Sequence, residues 1–127
     1  MNGNTVKTLG LGLLLAVALA VGALLGPAGA GAATPKLVAS VGPGHTITLR
    51  TPAGAIARSV KAGVYTIVVR DRAADHDFRL TGPGVNKATG VGFVGTQTWK
   101  VRLAKGKSYR FLCDPHSDEM FGSFRVR

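Results

Sequence analysis

Two short segments hold most of the residues able to bind a metal or carry redox chemistry. Asp75-His76-Asp77-Phe78-Arg79-Leu80 offers one imidazole. Tyr109-Arg110-Phe111-Leu112-Cys113-Asp114-Pro115-His116-Ser117-Asp118-Glu119-Met120 offers a thiol, a second imidazole and a thioether. Cys113 is the single cysteine of the chain, which excludes an intramolecular disulfide and any zinc module built on cysteine pairs. His76 shares strand parity with Phe78 and Leu80, and Cys113 shares it with Tyr109 and Phe111, so both donors should face one interior. Pro115 ends strand geometry, and the loop beyond it can bring His116 and Met120 back toward Cys113. One thiolate, two imidazoles and one thioether suit copper in both oxidation states, a Cys-His-His plane with a long axial Met being an electron-transfer arrangement. Zinc would take the Cys and His ligands but has little use for the Met and carries no electron. Single Cys and Met residues are usually core fillers; the four donors in this order, with matching parity, favour ligation.

The elements that must position these donors read as strands. Thr46-Ile47-Thr48-Leu49 and Trp99-Lys100-Val101-Arg102-Leu103 alternate polar and apolar residues, the period of a half-buried strand. Tyr65 to Val69 is a continuous apolar-type run rich in β-branched residues, and Phe124 and Val126 alternate with polar neighbours at the C-terminus. Gly42-Pro43-Gly44, Pro52-Ala53-Gly54, Ala62-Gly63, Gly82-Pro83-Gly84 and Lys105-Gly106-Lys107 punctuate the runs as turns. No stretch after residue 33 sustains a helical period. About seven or eight short strands at this spacing predict an all-β sandwich or barrel. Trp99, Phe78 and Phe111 are expected in its core.

A length of 127 residues fits one small folded domain. The N-terminus reads as an address. After Lys7 no charge occurs until Lys36, an apolar run covers Leu9 to Leu25, and Pro27 is followed by Ala28-Gly29-Ala30-Gly31-Ala32. This is the pattern of a signal peptide over residues 1–32, cleaved near Ala30 or Ala32; the alternative is an uncleaved membrane anchor. Residues 33–127 then form the folded domain, in a periplasmic, extracellular or cell-surface location. The chain carries 16 Lys+Arg against 6 Asp+Glu, a formal net charge of +10, which becomes +9 once Lys7 leaves with the leader. The basic residues are scattered, as on the solvent face of a sheet. They fit solubility, or steering toward an acidic partner protein or an anionic membrane surface. Neither a basic helix nor an aromatic platform accompanies them, which argues against nucleic acid.

From Val38 to Val126 the sequence resembles the plastocyanin-like cupredoxins, the type 1 blue copper family. The resemblance rests on the Cys113-x-x-His116-x-x-x-Met120 loop, on Gly122-Ser123-Phe124 after it, and on His76 lying 37 positions before the cysteine. It implies a Greek-key β-sandwich, one type 1 copper ion, and electron transfer by a monomer. It also implies His76, Cys113 and His116 as strong ligands, with Met120 as the weak axial one. One departure stands out: many cupredoxins place Asn after the first histidine, bonded across to the copper loop, whereas this chain has Asp77, whose carboxylate cannot donate that bond. Asp118 and Glu119 also precede Met120, and solvent exposure is expected for both.

His45, the remaining imidazole, shares the parity of Ile47 and is expected to cap one end of the core, with no ligand role. Three histidines exclude the linked centres of a multi-copper oxidase, and nothing in the sequence supplies a catalytic residue, so no enzyme is expected. Two functions remain: a one-electron carrier cycling Cu(I)/Cu(II) with a redox partner that has an acidic docking surface, or an extracytoplasmic module that stores, senses or delivers copper.

Overall fold

The computed structural model describes residues 31–127, together with Gly10, Gly22 and Gly26. The leader read over residues 1–32 therefore falls almost wholly outside the described residues. Among the described residues no helix is long and apolar enough to cross a membrane.

Among the described residues nine strands form: β1 (Lys36–Val41), β2 (Ile47–Arg50), β3 (Ser59–Val60), β4 (Gly63–Asp71), β5 (Arg79–Gly82), β6 (Val85–Ala88), β7 (Gly95–Leu103), β8 (Ser108–Leu112) and β9 (Phe121–Val126). They make a four-stranded sheet in the order β2-β1-β4-β7 and a five-stranded sheet in the order β3-β9-β8-β5-β6. The excess over seven or eight comes from short pieces. β3 is a two-residue pairing with the end of β9, too short to show a period. Both sheets are mixed, because β1 runs parallel to β4 and β3 parallel to β9.

The longest pairing of the first sheet is β4 with the edge strand β7, antiparallel from Gly63↔Leu103 to Asp71↔Gly95. Tyr65, Ile67 and Val69 are buried while Thr66 and Val68 are half-buried. The apolar-type run is thus a one-sided strand, its outer β-branched residues covering the sheet rather than filling the core. Between the sheets, Phe78 stacks on Phe111 with centroids 5.6 Å apart and lies 6.1 Å from Trp99, and Tyr109 stacks on Phe124. All five rings are buried, as expected for Trp99, Phe78 and Phe111.

The functional end follows from one register. β5 and β8 are antiparallel with Arg79 opposite Leu112. The segment entering β5 (His76, Asp77, Phe78) therefore lies beside the segment leaving β8 (Cys113 onward). The Lys105-Gly106-Lys107 turn sits at the other end of β8. Gly106 takes φ +78 there, which a residue with a side chain adopts only under strain.

A second glycine is needed for space. Gly122 pairs with Phe111 across β8 and β9, and a Cβ at position 122 would run into the Phe111 ring. The ring covers the bare backbone, filling the space a side chain would take. Gly122→Ala should force Phe111 off its stack on Phe78 and cost about 1–3 kcal/mol, the range for overpacking a core. A urea midpoint unchanged from the parent would show that the ring can move without cost.

Candidate metal centre

Each donor is carried by a loop that the sandwich pins at both ends. The first loop, residues 72–78, leaves β4 at Asp71, a buried carboxylate. Its Oδ1 accepts the Ala73 N–H at 3.3 Å and its Oδ2 accepts the Thr89 hydroxyl at 2.6 Å. Thr89 Oγ1 in turn accepts the Phe78 N–H at 3.0 Å, and the Thr89 N–H donates to the Phe78 carbonyl. One buried acid thus ties both ends of the loop bearing His76. A paired, buried polar group of this kind is costly to disrupt because its partners cannot turn to water.

The second loop is closed by its own backbone. The Cys113 N–H donates to the Met120 carbonyl at 3.0 Å, and the Met120 N–H donates to the His116 carbonyl at 2.8 Å. Asp114–His116 form a single 3₁₀ turn with Pro115 near its start, where a missing N–H costs nothing. This turn brings His116 back over Cys113, as the proline in the sequence suggests.

The two loops meet around three donor atoms. His76 Nδ1 lies 3.1 Å from His116 Nδ1, and Cys113 Sγ lies 3.6 Å from His76 Nδ1 and 3.8 Å from His116 Nδ1. His76, Cys113 and Met120 are buried and His116 is half-buried. The inward parity expected for Cys113 is found. His76 is buried as expected, although it precedes β5 and its neighbour Asp77 is buried too, so strict alternation does not hold there. Burial pushes the Cys113 thiol pKa up, against the smaller lowering effect of the Asp77 N–H that donates to its sulfur at 3.4 Å. A metal must therefore displace the thiol proton, and the site offers an N–H to the resulting thiolate.

Asp77 bridges the loops as an acceptor. Its Oδ1 accepts the Asp114 N–H at 2.6 Å, while its Oδ2 is buried without a hydrogen-bond partner. Burial, with a lesser contribution from the Asp114 side chain, raises its pKa to about 6. Asp114 moves the other way, held below the usual carboxylate range chiefly by Arg79, which grips both its oxygens at 2.7 and 2.8 Å. The link between the loops that a carboxylate cannot donate is made here by a carboxylate that accepts.

His45 departs from expectation. β2 starts only at Ile47, and the bend after Gly42-Pro43-Gly44 includes His45, so parity counted from Ile47 does not reach it. It does not cap the core: its side chain is 57% exposed, its Nδ1 lies 3.2 Å from Glu119 Oε2, and its ring stands 4.6 Å from that of His116. Glu119, though exposed as expected, is therefore engaged. Pro115, next to His116 in the loop, and Phe121, at the start of β9, are exposed, and Arg110 lies over the Phe121 ring at 4.8 Å. The sequence reading missed Asp71, Thr89, His45 and Glu119. Only His45, as an imidazole next to a Gly-Pro-Gly turn, carried a signal that could have flagged it.

Two mixed sheets with a Cys-and-His loop cluster at one end make this a cupredoxin-like β-sandwich. Solved structures of rusticyanin share the fold. Reduced rusticyanin superposes with a TM-score of 0.55 at 20% identity, covering 74% of this chain and 79% of that one. A second structure, of the copper protein rusticyanin, gives 0.55 at 19% identity, covering 74% and 78%. A methionine-to-glutamine variant of rusticyanin gives 0.51 at 21%, covering 74% and 78%. No protein-family model matches the chain, and no curated protein matches it.

Proposed function

We propose that this chain is an exported type 1 copper protein that carries single electrons between partners. The observation that carries the reading is the mutual approach of His76 Nδ1, His116 Nδ1 and Cys113 Sγ within 3.1–3.8 Å, on a fold shared with a copper protein. The donor chemistry fits copper: a soft sulfur with two imidazoles serves both oxidation states, and a thioether on the same loop is a weak fourth donor. In this reading Cys113, His76 and His116 would hold the ion, with the Met120 thioether as a weak further donor. Bound copper supplies the one-electron Cu(I)/Cu(II) couple.

The chain's own residues supply rigidity and access. The Asp71–Thr89 bonds hold His76, and the backbone bonds among Cys113, His116 and Met120 hold the second loop, so neither redox state has to rebuild the site. Burial of Cys113 and His76 keeps water from the sulfur. The half-buried His116, next to exposed Pro115, is the natural point of electron exit. The basic net charge steers an acidic redox partner; with the Lys105–Lys107 turn at the far end of β8, that steering is a property of the whole surface. A stiff, enclosed site favours the carrier over a storage or delivery module, and no residue is assigned a catalytic role.

The test is the visible spectrum of the protein with Cu(II), where intense sulfur-to-copper charge transfer is expected; a colourless complex overturns the assignment. Met120→Leu, close to volume-conserving, should keep copper bound and raise the reduction potential. The lost thioether stabilised the more positive oxidation state more than the other. A redox titration giving the parent potential would leave Met120 as a core residue alone.

A further inference from the structure

His45 has no place in the thiol-centred site, yet it stands against it. Its ring centroid is 4.6 Å from His116 and 5.2 Å from His76, and the donor nitrogens of the three rings lie within 4.8 Å of one another. Core packing does not draw it there, since the side chain is more than half exposed. A carboxylate does: His45 Nδ1 lies 3.2 Å from Glu119 Oε2. An imidazole that donates from Nδ1 carries its lone pair on Nε2, and this carboxylate–imidazole pairing is how proteins commonly orient histidines that bind metals. Glu119 also belongs to the loop that sets His116, its N–H donating to the His116 carbonyl at 3.1 Å. One loop thus fixes one imidazole and steers another beside it.

We propose that His45, His76 and His116, with Glu119 steering His45, form a three-imidazole site that binds Cu(II) from solvent without the Cys113 thiol. The proposal rests on the copper reading above but not on ligation by Cys113 or Met120. Exposure gives it an order of events. His45 is exposed, His116 half-buried, and His76 and Cys113 buried, so an arriving ion meets the outer imidazoles before the sulfur. Three neutral nitrogens suit Cu(II). Moving inward exchanges His45 for Cys113, whose thiol proton passes to solvent, while His76 and His116 serve in both sets. No electron moves in this exchange.

Cu(II) titration of the Cys113→Ser chain, followed by electron paramagnetic resonance and chelator competition, tests the proposal. Bound Cu(II) coupled to three imidazole nitrogens is expected. Adding His45→Ala should reduce the coupling to two nitrogens and weaken binding. Glu119→Gln, which keeps every ligand, should weaken it by about tenfold, the low end for outer partners of a metal-binding histidine. Equal affinity and coupling with and without His45 overturns the proposal. A second measurement avoids any change in the core. On rapid mixing with Cu(II), the unaltered chain should form a colourless complex before the charge-transfer band rises. His45→Ala, an exposed substitution, should lose that precursor and colour more slowly. Identical time courses in the two chains overturn the proposal. A chain that never colours bears on the thiolate reading instead, and the Cys113→Ser comparison still decides the three-imidazole site.

Discussion

Cys113→Ser should abolish the sulfur-to-copper absorption completely while leaving a folded protein that still binds Cu(II). The band arises from a thiolate electron promoted to the metal, and a serine hydroxyl near neutral pH offers neither the charge nor the softness. The loop does not depend on the sulfur for its shape. The bonds that close it run from the Cys113 N–H to Met120 O and from the His116 N–H to Cys113 O, and serine keeps both. The Asp77 N–H, which donates to Sγ at 3.4 Å, finds an oxygen acceptor in its place. Cu(I) should be lost far more readily than Cu(II), because the softest donor has gone and the imidazoles remain. A variant that kept the visible band would remove Cys113 from the ligand set. One that bound no copper at all would show that the imidazoles alone cannot hold the ion.

How far such a site is legible in sequence depends on where strand parity applies. Cys113 continues β8 in phase with Tyr109 and Phe111, so its burial follows from counting by two. The Cys113–Met120 loop was legible because proline dictates where the strand must stop. His45 was misread for the converse reason: a bend, not a strand, carries it, and no period extends through a bend. Asp77 shows a different limit. Its identity implies that a side-chain amide donor is missing, but only the register of β5 on β8 brings the Asp114 N–H within its reach. Asp71 and Thr89 lie 18 positions apart and have ordinary side chains. Their joint hold on the His76 loop exists only once β4, β5 and the segment after β6 are assembled. The second sheet's short strands were undercounted because a two- or four-residue strand spans too little chain to display alternation.

Asp77→Asn should make the metal-free protein more stable above pH 6 and almost unchanged near pH 4. The Asp77 carboxyl is buried, one oxygen accepts the Asp114 N–H and the other has no partner. Burial raises its pKa from 3.8 to about 6. The folded chain therefore holds this proton to higher pH than the unfolded chain does. Between those two values folding takes up a proton, so stability falls as pH rises through the window and stays low above it. The ionised carboxylate is therefore a net cost to the folded state above the window. Asparagine keeps the oxygen that accepts from Asp114 and has no proton to lose. Asp114, held low chiefly by Arg79, keeps that partner in both proteins. Urea midpoints of the two metal-free chains at pH 4, 6 and 8 provide the check. Midpoints that differ equally at all three values would mean that the carboxylate is not desolvated enough to matter.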